Sequence, residues 1–457
     1  MTTLHCISPI DGSVLATREA LSLDAARSAA AQARAAQKNW AARPLQERID
    51  LVMAGVAKIG EQTDRMVTEL AQQMGRPIRY GGEFGGFNER AAYMAQIAEE
   101  ALAPMVIEDS ATARRVIKRE PAGVVLIVAP WNYPYMTAIN TLAPALISGS
   151  TVILKHATQT MLVGEHLAEA FHDAGVPPDV FQNVFLDHET TSALIGERAF
   201  DFVNFTGSVN GGKAMEVAAA GTFTQVATEL GGKDPGYVRE DADVQAAVDG
   251  LIDGAMFNSG QCCCGIERIY VHESLYDAFV EKAVALVKGY RLGHPMDPTT
   301  DIGPMAHVRF ADLVRRQIAQ ALNMGATAHI DHMEADDEGA YLTPQILTDV
   351  THEMDVMTEE SFGPVVGIMK VRDDEHAIEL MNDCKYGLTA AIWTKDAAAA
   401  EAIGARLETG TVFMNRQDYL DPALCWTGCK DTGRGAGLSV LGYHALTRPK
   451  SYHLKKG

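Results

Sequence analysis

Five short apolar runs between residues 123 and 232 constrain the fold more than any other feature of this chain. They are GVVLIVAP (123–130), STVILKH (150–156), FQNVFL (181–186), FDFVNFTGS (200–208) and TQVATELGG (224–232). Each is bounded by Gly, Pro or polar turn residues and is too short for a helix, so each reads as a strand buried on both faces. Helical patterning lies between them at 138–146 and 162–173, and again from about residue 212. Strands alternating with helices at this spacing form a doubly wound parallel sheet. A ligand crevice is then expected at the carboxyl ends of the strands.

A second α/β pattern starts near residue 233. ERIYVHESLYDAFVEKAVALVKGY (267–290) reads as strand then helix, and PVVGIMKV, AAIWTKD and GTVFMN as further strands. Residues 23–42 and 45–75 carry apolar side chains at helical spacing. The charged, alternating segments RRVIKREPAG (114–123) and KSYHLKKG (450–457) read as edge or bridging strands.

Net charge is −20, from 59 acidic and 39 basic residues. That balance disfavours nucleic acid or anionic membrane as partners. No apolar run approaches a membrane span, and MTTLHCISPIDGS lacks the features of a secretory signal. The seven cysteines are odd in number and scattered, which does not suit a disulfide framework. A reducing, cytoplasmic setting is expected.

NSGQCCCGIER (258–268) holds three of those cysteines side by side. Adjacent cysteines are expected to diverge, and they lack the spaced pairs of a zinc site, so no metal is expected. Buried packing suits Cys262 and Cys264, because a buried thiol behaves as a small hydrophobe. A nucleophile suits at least one of the three, since Ser259, Gly260 and Gly265 permit a tight turn that exposes a thiol.

Other motifs stand where strands end: APWNYP (129–134), ILKHA (153–157), NFTGS (204–208) and ELGGKDP (229–235). EESFGPVV (359–366) lies in the second half. In this order, with GQCCCG, they resemble the aldehyde dehydrogenase superfamily over essentially the whole chain. The resemblance implies a Rossmann-type cofactor domain (1–104, 122–232 and 431–446), an α/β catalytic domain (233–430) and bridging strands (105–121 and 447–457). It implies a homodimer or homotetramer, NAD or NADP as cofactor, and a small-molecule aldehyde as substrate.

By the same resemblance Cys263 is the nucleophile, Asn132 stabilises the oxyanion and Glu229 activates water to hydrolyse a thioester. Trp131, Lys155, Thr158, Gly207, Ser208, Leu230, Glu360 and Phe362 are the implied cofactor contacts. A CoA-acylating relative tends to lack the hydrolytic carboxylate, and a non-catalytic relative would lose one of these three residues. All are present here.

Three departures from the family pattern stand out. Thr158 replaces a Glu that often binds the adenosine 2′-hydroxyl, which removes a charge that repels a 2′-phosphate and admits NADP. FLDHETTS (185–192) replaces a common Gly-x-Gly turn and brings Asp187 and Glu189 near the cofactor's expected path. CWTGCKDTGRGA (425–436) keeps the frame Gly428, Lys430, Gly433, Arg434 but replaces Pro-Phe by Cys425-Trp426.

The aldehyde pocket is expected among Tyr135, Met136, Asn140, Cys262, Cys264, Asp418, Tyr419, Leu420 and Trp426. Asp418 and Asp421 suit a cationic amino aldehyde, helped by a cation–π contact from Trp426 or Tyr419. Arg416 suits the carboxylate of a semialdehyde. An internal Arg–Asp pair without substrate contact is the plainer alternative, and medium-chain or aromatic aldehydes stay open.

Overall fold

The computed structural model describes residues 2–331 and 339–456. All five apolar runs form one parallel sheet. Its strands are ordered Phe181–Asn183, Thr151–Lys155, Val124–Val128, Phe202–Thr206, Gln225–Glu229. The chain starts in the middle, winds to one edge, then returns and winds to the other. That reversal opens a crevice beside the carboxyl end of Val124–Val128. The three central strands are buried at every position, which is why their sequences are continuous apolar runs rather than alternating ones.

Helices cover both faces. Leu23–Ala41 packs Ala26, Ala30 and Ala33 inward, and its Trp40 indole N–H donates to the Leu146 carbonyl at 2.9 Å. Pro134–Ser148 is buried along almost its whole length, which suits a helix sandwiched between the sheet and an outer helical layer.

A second sheet has seven strands, ordered Thr327–Ala328, Gln345–Thr348, Val365–Val371, Ile266–His272, Asp234–Val238, Thr389–Trp393, Thr411–Met414. Only the first pair is antiparallel. A three-stranded antiparallel sheet stands apart. In it Thr447–Lys455 pairs with Ala113–Pro121 from Thr447↔Pro121 to Lys455↔Ala113, and Met105–Asp109 lies on the other side. Both segments read as bridging strands do form strands, and they pair with each other.

Two expectations change in detail. The helical segment 45–75 is two helices, Leu45–Gly60 and Thr63–Met74. Gly60 lies against Phe84, so closely that a Cβ there would sit 2.5 Å from the ring, and Thr63 Oγ donates to the Gly60 carbonyl. The chain turns at that contact. FQNVFL is strand only over Phe181–Asn183; Val184 N–H still donates to the Leu154 carbonyl at 2.9 Å, and the pairing ends before Leu186, whose apolarity reflects packing. Among the described residues no helix is long and apolar enough to cross a membrane.

Candidate active site

The cysteine run sits on a strained turn. Asn258, Ser259 and Gly260 have φ of 53°, 56° and 70°, three successive left-handed residues. Two of them carry side chains, a conformation that persists only where surroundings enforce it. Ser259 Oγ donates to the Gly303 carbonyl at 3.0 Å and accepts from its N–H at 3.1 Å. The Asn258 amide donates to the Gln261 carbonyl, and Gln261 Oε1 accepts from Ala306 N–H at 2.7 Å. Gly260 has no alternative, because a Cβ would lie 2.3 Å from the Gly363 carbonyl oxygen.

The next four residues close a turn, with Gly265 N–H donating to the Cys262 carbonyl at 3.2 Å. This overturns the expected divergence of the thiols. The three sulfurs lie within 4.8 Å of one another, because a tight turn brings successive side chains to one side. Cys262 and Cys264 are buried and Cys263 is half-buried. Contact with the Cys262 and Cys264 thiols holds the Cys263 thiol below its ordinary pKa, against the opposing effect of burial. Cys262 itself is pushed up to about 12, led by its hydrogen bond to Cys263.

Asn132 follows the central strand. Its amide donates to the Gln261 carbonyl at 3.3 Å, which places it against the cysteine turn. Arg76 fixes the same region from below. Its guanidinium pairs with Glu83 at 2.9 Å, donates to the Asn132 carbonyl and to Asn258 Oδ1, and lies over the Tyr133 ring at 4.7 Å. Glu83 accepts from the Tyr135 and Met136 N–H groups at 3.0 and 2.8 Å, at the start of the helix Pro134–Ser148. An anion at a helix N-terminus is favourable.

Glu229 ends the last strand of the first sheet. Thr206 Oγ donates to its carboxylate at 3.4 Å, and burial pushes its pKa up to about 7. The segment carrying Gly433 packs across this strand end: Leu230 N–H donates to the Thr432 carbonyl and Thr228 N–H to that of Arg434.

Cys263, Asn132 and Glu229 line one cavity of about 330 Å³. Met136, Asn140, Cys262, Cys264, Asp418, Tyr419, Leu420 and Trp426 line it as expected. Tyr135 does not. It is 1% exposed and its hydroxyl meets His166 in the helical layer; Tyr133, two residues earlier, takes its place on the wall. Arg416 lies outside the cavity, stacked over Tyr419 at 4.1 Å. Asp421 is also off the wall and caps its own turn through Ala423 N–H. Asp418 accepts from the Cys264 thiol at 2.9 Å and from Cys262 at 3.4 Å, and burial raises its pKa well above the usual carboxylate range. It is therefore no free anion for a cationic substrate.

Arg76, Glu83, Arg90 and Tyr133 were missed by sequence reasoning. GRPIRYGGE (75–83) reads as an exposed loop, and nothing local in it signals that Arg76 and Glu83 are 3% and 2% exposed.

The second group of expected residues lies along the crevice. Lys155 ends its strand buried, with no ion pair among the described residues; burial pushes its pKa down, and the Asp187 charge opposes this. Asp187 caps the helix His188–Gly196 through Thr190 N–H, so its charge is engaged locally. Ser208 caps Val209–Ala219, and a Cβ on Gly207 would lie 2.8 Å from the Phe205 ring. Thr158 begins a short helical turn, Thr158–Thr160. Trp131 stacks on Phe310 at 5.1 Å and meets Phe362 edge-on at 5.5 Å. Glu360 accepts from Gly232 N–H at 3.1 Å and is pushed up to about 8 by burial. An unpaired ammonium, a capped helix N-terminus and an aromatic slot fit the phosphates, ribose hydroxyls and flat rings of a dinucleotide.

A doubly wound sheet with its crevice beside a half-buried, acidified thiol fits a dinucleotide-dependent oxidoreductase. The sequence model of the Aldehyde dehydrogenase family matches residues 1–452, and this chain belongs to that family. It is an NAD(P)-dependent enzyme acting on aldehydes. A succinate semialdehyde dehydrogenase [NAD(P)+] of Escherichia coli (strain K12) is 31% identical over 441 residues, 96% of this chain and 95% of that protein. A 2-hydroxymuconic semialdehyde dehydrogenase of Pseudomonas putida is 32% identical, covering 98% and 95%. The crystal structure of a succinate-semialdehyde dehydrogenase from Burkholderia pseudomallei superposes with a TM-score of 0.95 at 27% identity, over 99% of this chain and 94% of that one.

Thiol reactivity should follow the geometry. Limiting iodoacetamide near neutral pH should alkylate Cys263 first and leave Cys262 and Cys264 unmodified, as read by peptide mass spectrometry.

Proposed function

We propose that the chain oxidises an aldehyde to its carboxylic acid through a thioester on Cys263. The carrying observation is that the Cys263 thiol, the Asn132 amide and the Glu229 carboxyl face one cavity at the crevice's end. The acidified Cys263 sulfur attacks the carbonyl carbon. The second Asn132 amide N–H and the Cys263 backbone N–H stabilise the resulting oxyanion, and one such donor contributes about 3–4 kcal/mol. Trp131, Lys155, Thr158, Gly207, Ser208, Leu230, Glu360 and Phe362 would hold NAD(P), which would accept the hydride lost from carbon as the oxyanion adduct becomes the thioester. Glu229 then takes a proton from water, the hydroxide adds to the thioester carbon, and the acid leaves as the Cys263 thiolate is restored. The presence of Glu229 on the wall supports hydrolysis over transfer to CoA.

The raised pKa of Glu229 sets a direction with pH. Its carboxyl is protonated below about 7 and accepts no proton there, so thioester hydrolysis should rise with pH through about 7. Glu229→Gln should slow hydrolysis ~10²–10⁴-fold and leave a burst of NAD(P)H with acyl-enzyme accumulating. Cys263→Ala should show neither burst nor turnover in stopped-flow absorbance. Turnover retained in that variant would sink the mechanism.

Thr158 supports use of NADP beside NAD, since it places no carboxylate near Lys155. Thr158→Glu should lower kcat/KM for NADP relative to NAD. The seven free cysteines support a reducing, cytoplasmic setting.

A homo-oligomer is supported by the edge strand Met105–Asp109, where Met105, Val106 and Ile107 are 62%, 56% and 54% exposed. An unpaired apolar edge favours pairing with another copy. Sedimentation should give a multiple of 49.3 kDa, and Val106→Lys with Ile107→Lys should shift it toward the monomer.

A further inference from the structure

The cavity wall carries two arginines, and only one is neutralised. Arg76 is paired with Glu83. Arg90, on the helix Phe84–Ala101, forms no ion pair among the described residues. It is 8% exposed. Its Nη1 donates to the Met136 carbonyl at 3.0 Å and to Asn140 Oδ1 at 3.3 Å. Nε and Nη2 have no acceptor among the described residues, yet neither is sealed away from solvent-sized space. An arginine does not lose its charge in a protein, so a cation with unused donors is held at the cavity wall. A buried charge without a partner is costly, so a ligand that supplies the partner is favoured there.

The acids on the wall do not complete it. Glu83 belongs to Arg76. Burial raises the pKa of Glu229, Asp253 and Asp418, which favours their neutral forms. Glu89 accepts from the Tyr419 hydroxyl at 2.6 Å. Glu83, Glu229 and Asp418 act on Arg90 electrostatically, and none of them hydrogen-bonds it. The planar fork of a guanidinium matches a carboxylate through two parallel N–H···O bonds.

We propose that Arg90 anchors a carboxylate at the far end of the aldehyde, so that the enzyme selects oxo acids of the semialdehyde type. This rests on the aldehyde-oxidising reading, and it assigns the anchoring role to Arg90 in place of Arg416. Met136 and Asn140 are then positioning residues. They hold Nη1 and leave the other two nitrogens free to donate to the substrate carboxylate.

The test compares 4-oxobutanoate with 4-methylpentanal, its uncharged isostere, and with 4-aminobutanal. The wild type should favour 4-oxobutanoate over both. In Arg90→Gln the ratio of kcat/KM for 4-oxobutanoate over 4-methylpentanal should fall ~10- to 100-fold, through KM, as expected for a lost charged hydrogen-bond pair. Arg90→Lys should fall between the two. The ratio removes any effect of the Arg90 charge on Glu229, which acts on both substrates alike. A ratio unchanged in Arg90→Gln, or a wild type that prefers the uncharged aldehyde, would overturn the proposal. Calorimetry with succinate reads the same subsite without turnover. Binding to the wild type that weakens by the same factor in Arg90→Gln supports the anchor even if every aldehyde fails, in which case only the oxidation reading falls. No succinate binding to the folded wild type overturns the anchor alone.

Discussion

The buried Arg76–Glu83 pair is the contact on which the geometry of the candidate site depends. Three segments distant in sequence meet at it: the end of the helix Thr63–Met74, the loop carrying Asn132, and the turn that presents the cysteines. Each is irregular backbone, and irregular backbone needs its polar groups satisfied when buried. Arg76 does this with one planar group that reaches Asn132, Asn258 and Glu83 together. Glu83 extends the same network to the first turn of Pro134–Ser148. Removing either partner leaves an uncompensated buried charge, which costs about 3–5 kcal/mol in comparable pairs. The strain of two left-handed side-chain-bearing residues, Asn258 and Ser259, is sustained because this network and Gly303 over-determine the turn.

Electrostatics then sets apart the two titratable groups that the proposed reaction uses. Cys263 and Glu229 share the cavity, but their environments act in opposite directions. The thiols on either side favour the Cys263 thiolate, whereas burial without a full set of donors disfavours the Glu229 carboxylate. The three consecutive cysteines are thus a small hydrogen-bonding cluster, with Asp418 accepting at its outer edge. Neither flanking thiol is inert packing, as a reading from composition alone would have it.

The parallel sheet was legible because burial on both faces writes itself into the sequence as continuous apolar runs. Turn chemistry marked the strand ends as well, so Asn132, Lys155, Ser208 and Glu229 fell where the crevice opens. Long-range polar contacts left no such trace. Arg76 and Glu83 look like surface residues of a loop, and their burial follows only from how the helices stack. Tyr135 and Tyr133 differ by two positions on one helix start, a distinction set by the angle at which Pro134 begins the helix. Asp418 and Arg416 are two residues apart, yet the φ of 50° at Asp418 turns its carboxyl toward the thiols while Arg416 stacks over Tyr419. No periodicity encodes that choice.

The placement of Glu229 against Cys263 is a consequence of how the two sheets are joined. Strand Gln225–Glu229 ends the first sheet and Asp234–Val238 begins in the second, so only residues 230–233 connect them. Gly232 lets this link press against the cysteine turn, since a Cβ would lie 2.6 Å from the Cys263 carbonyl oxygen. Gly231 does the same against Glu360, at 2.2 Å from its carboxylate. Lys233 is fully buried and donates to Glu267 at 2.5 Å and to Ser361 at 2.9 Å. Glu267 accepts in turn from the N–H groups of Ser361 and Phe362. A four-residue link therefore anchors the loop of Glu360 and Phe362 on one side and the thiol on the other. A larger side chain at 231 or 232 has to displace Glu360 or the Cys263 backbone. With Glu229 one residue before the link, the distance from its carboxyl to the Cys263 thiol is set by backbone packing, and the flexibility of the Glu229 side chain only refines it.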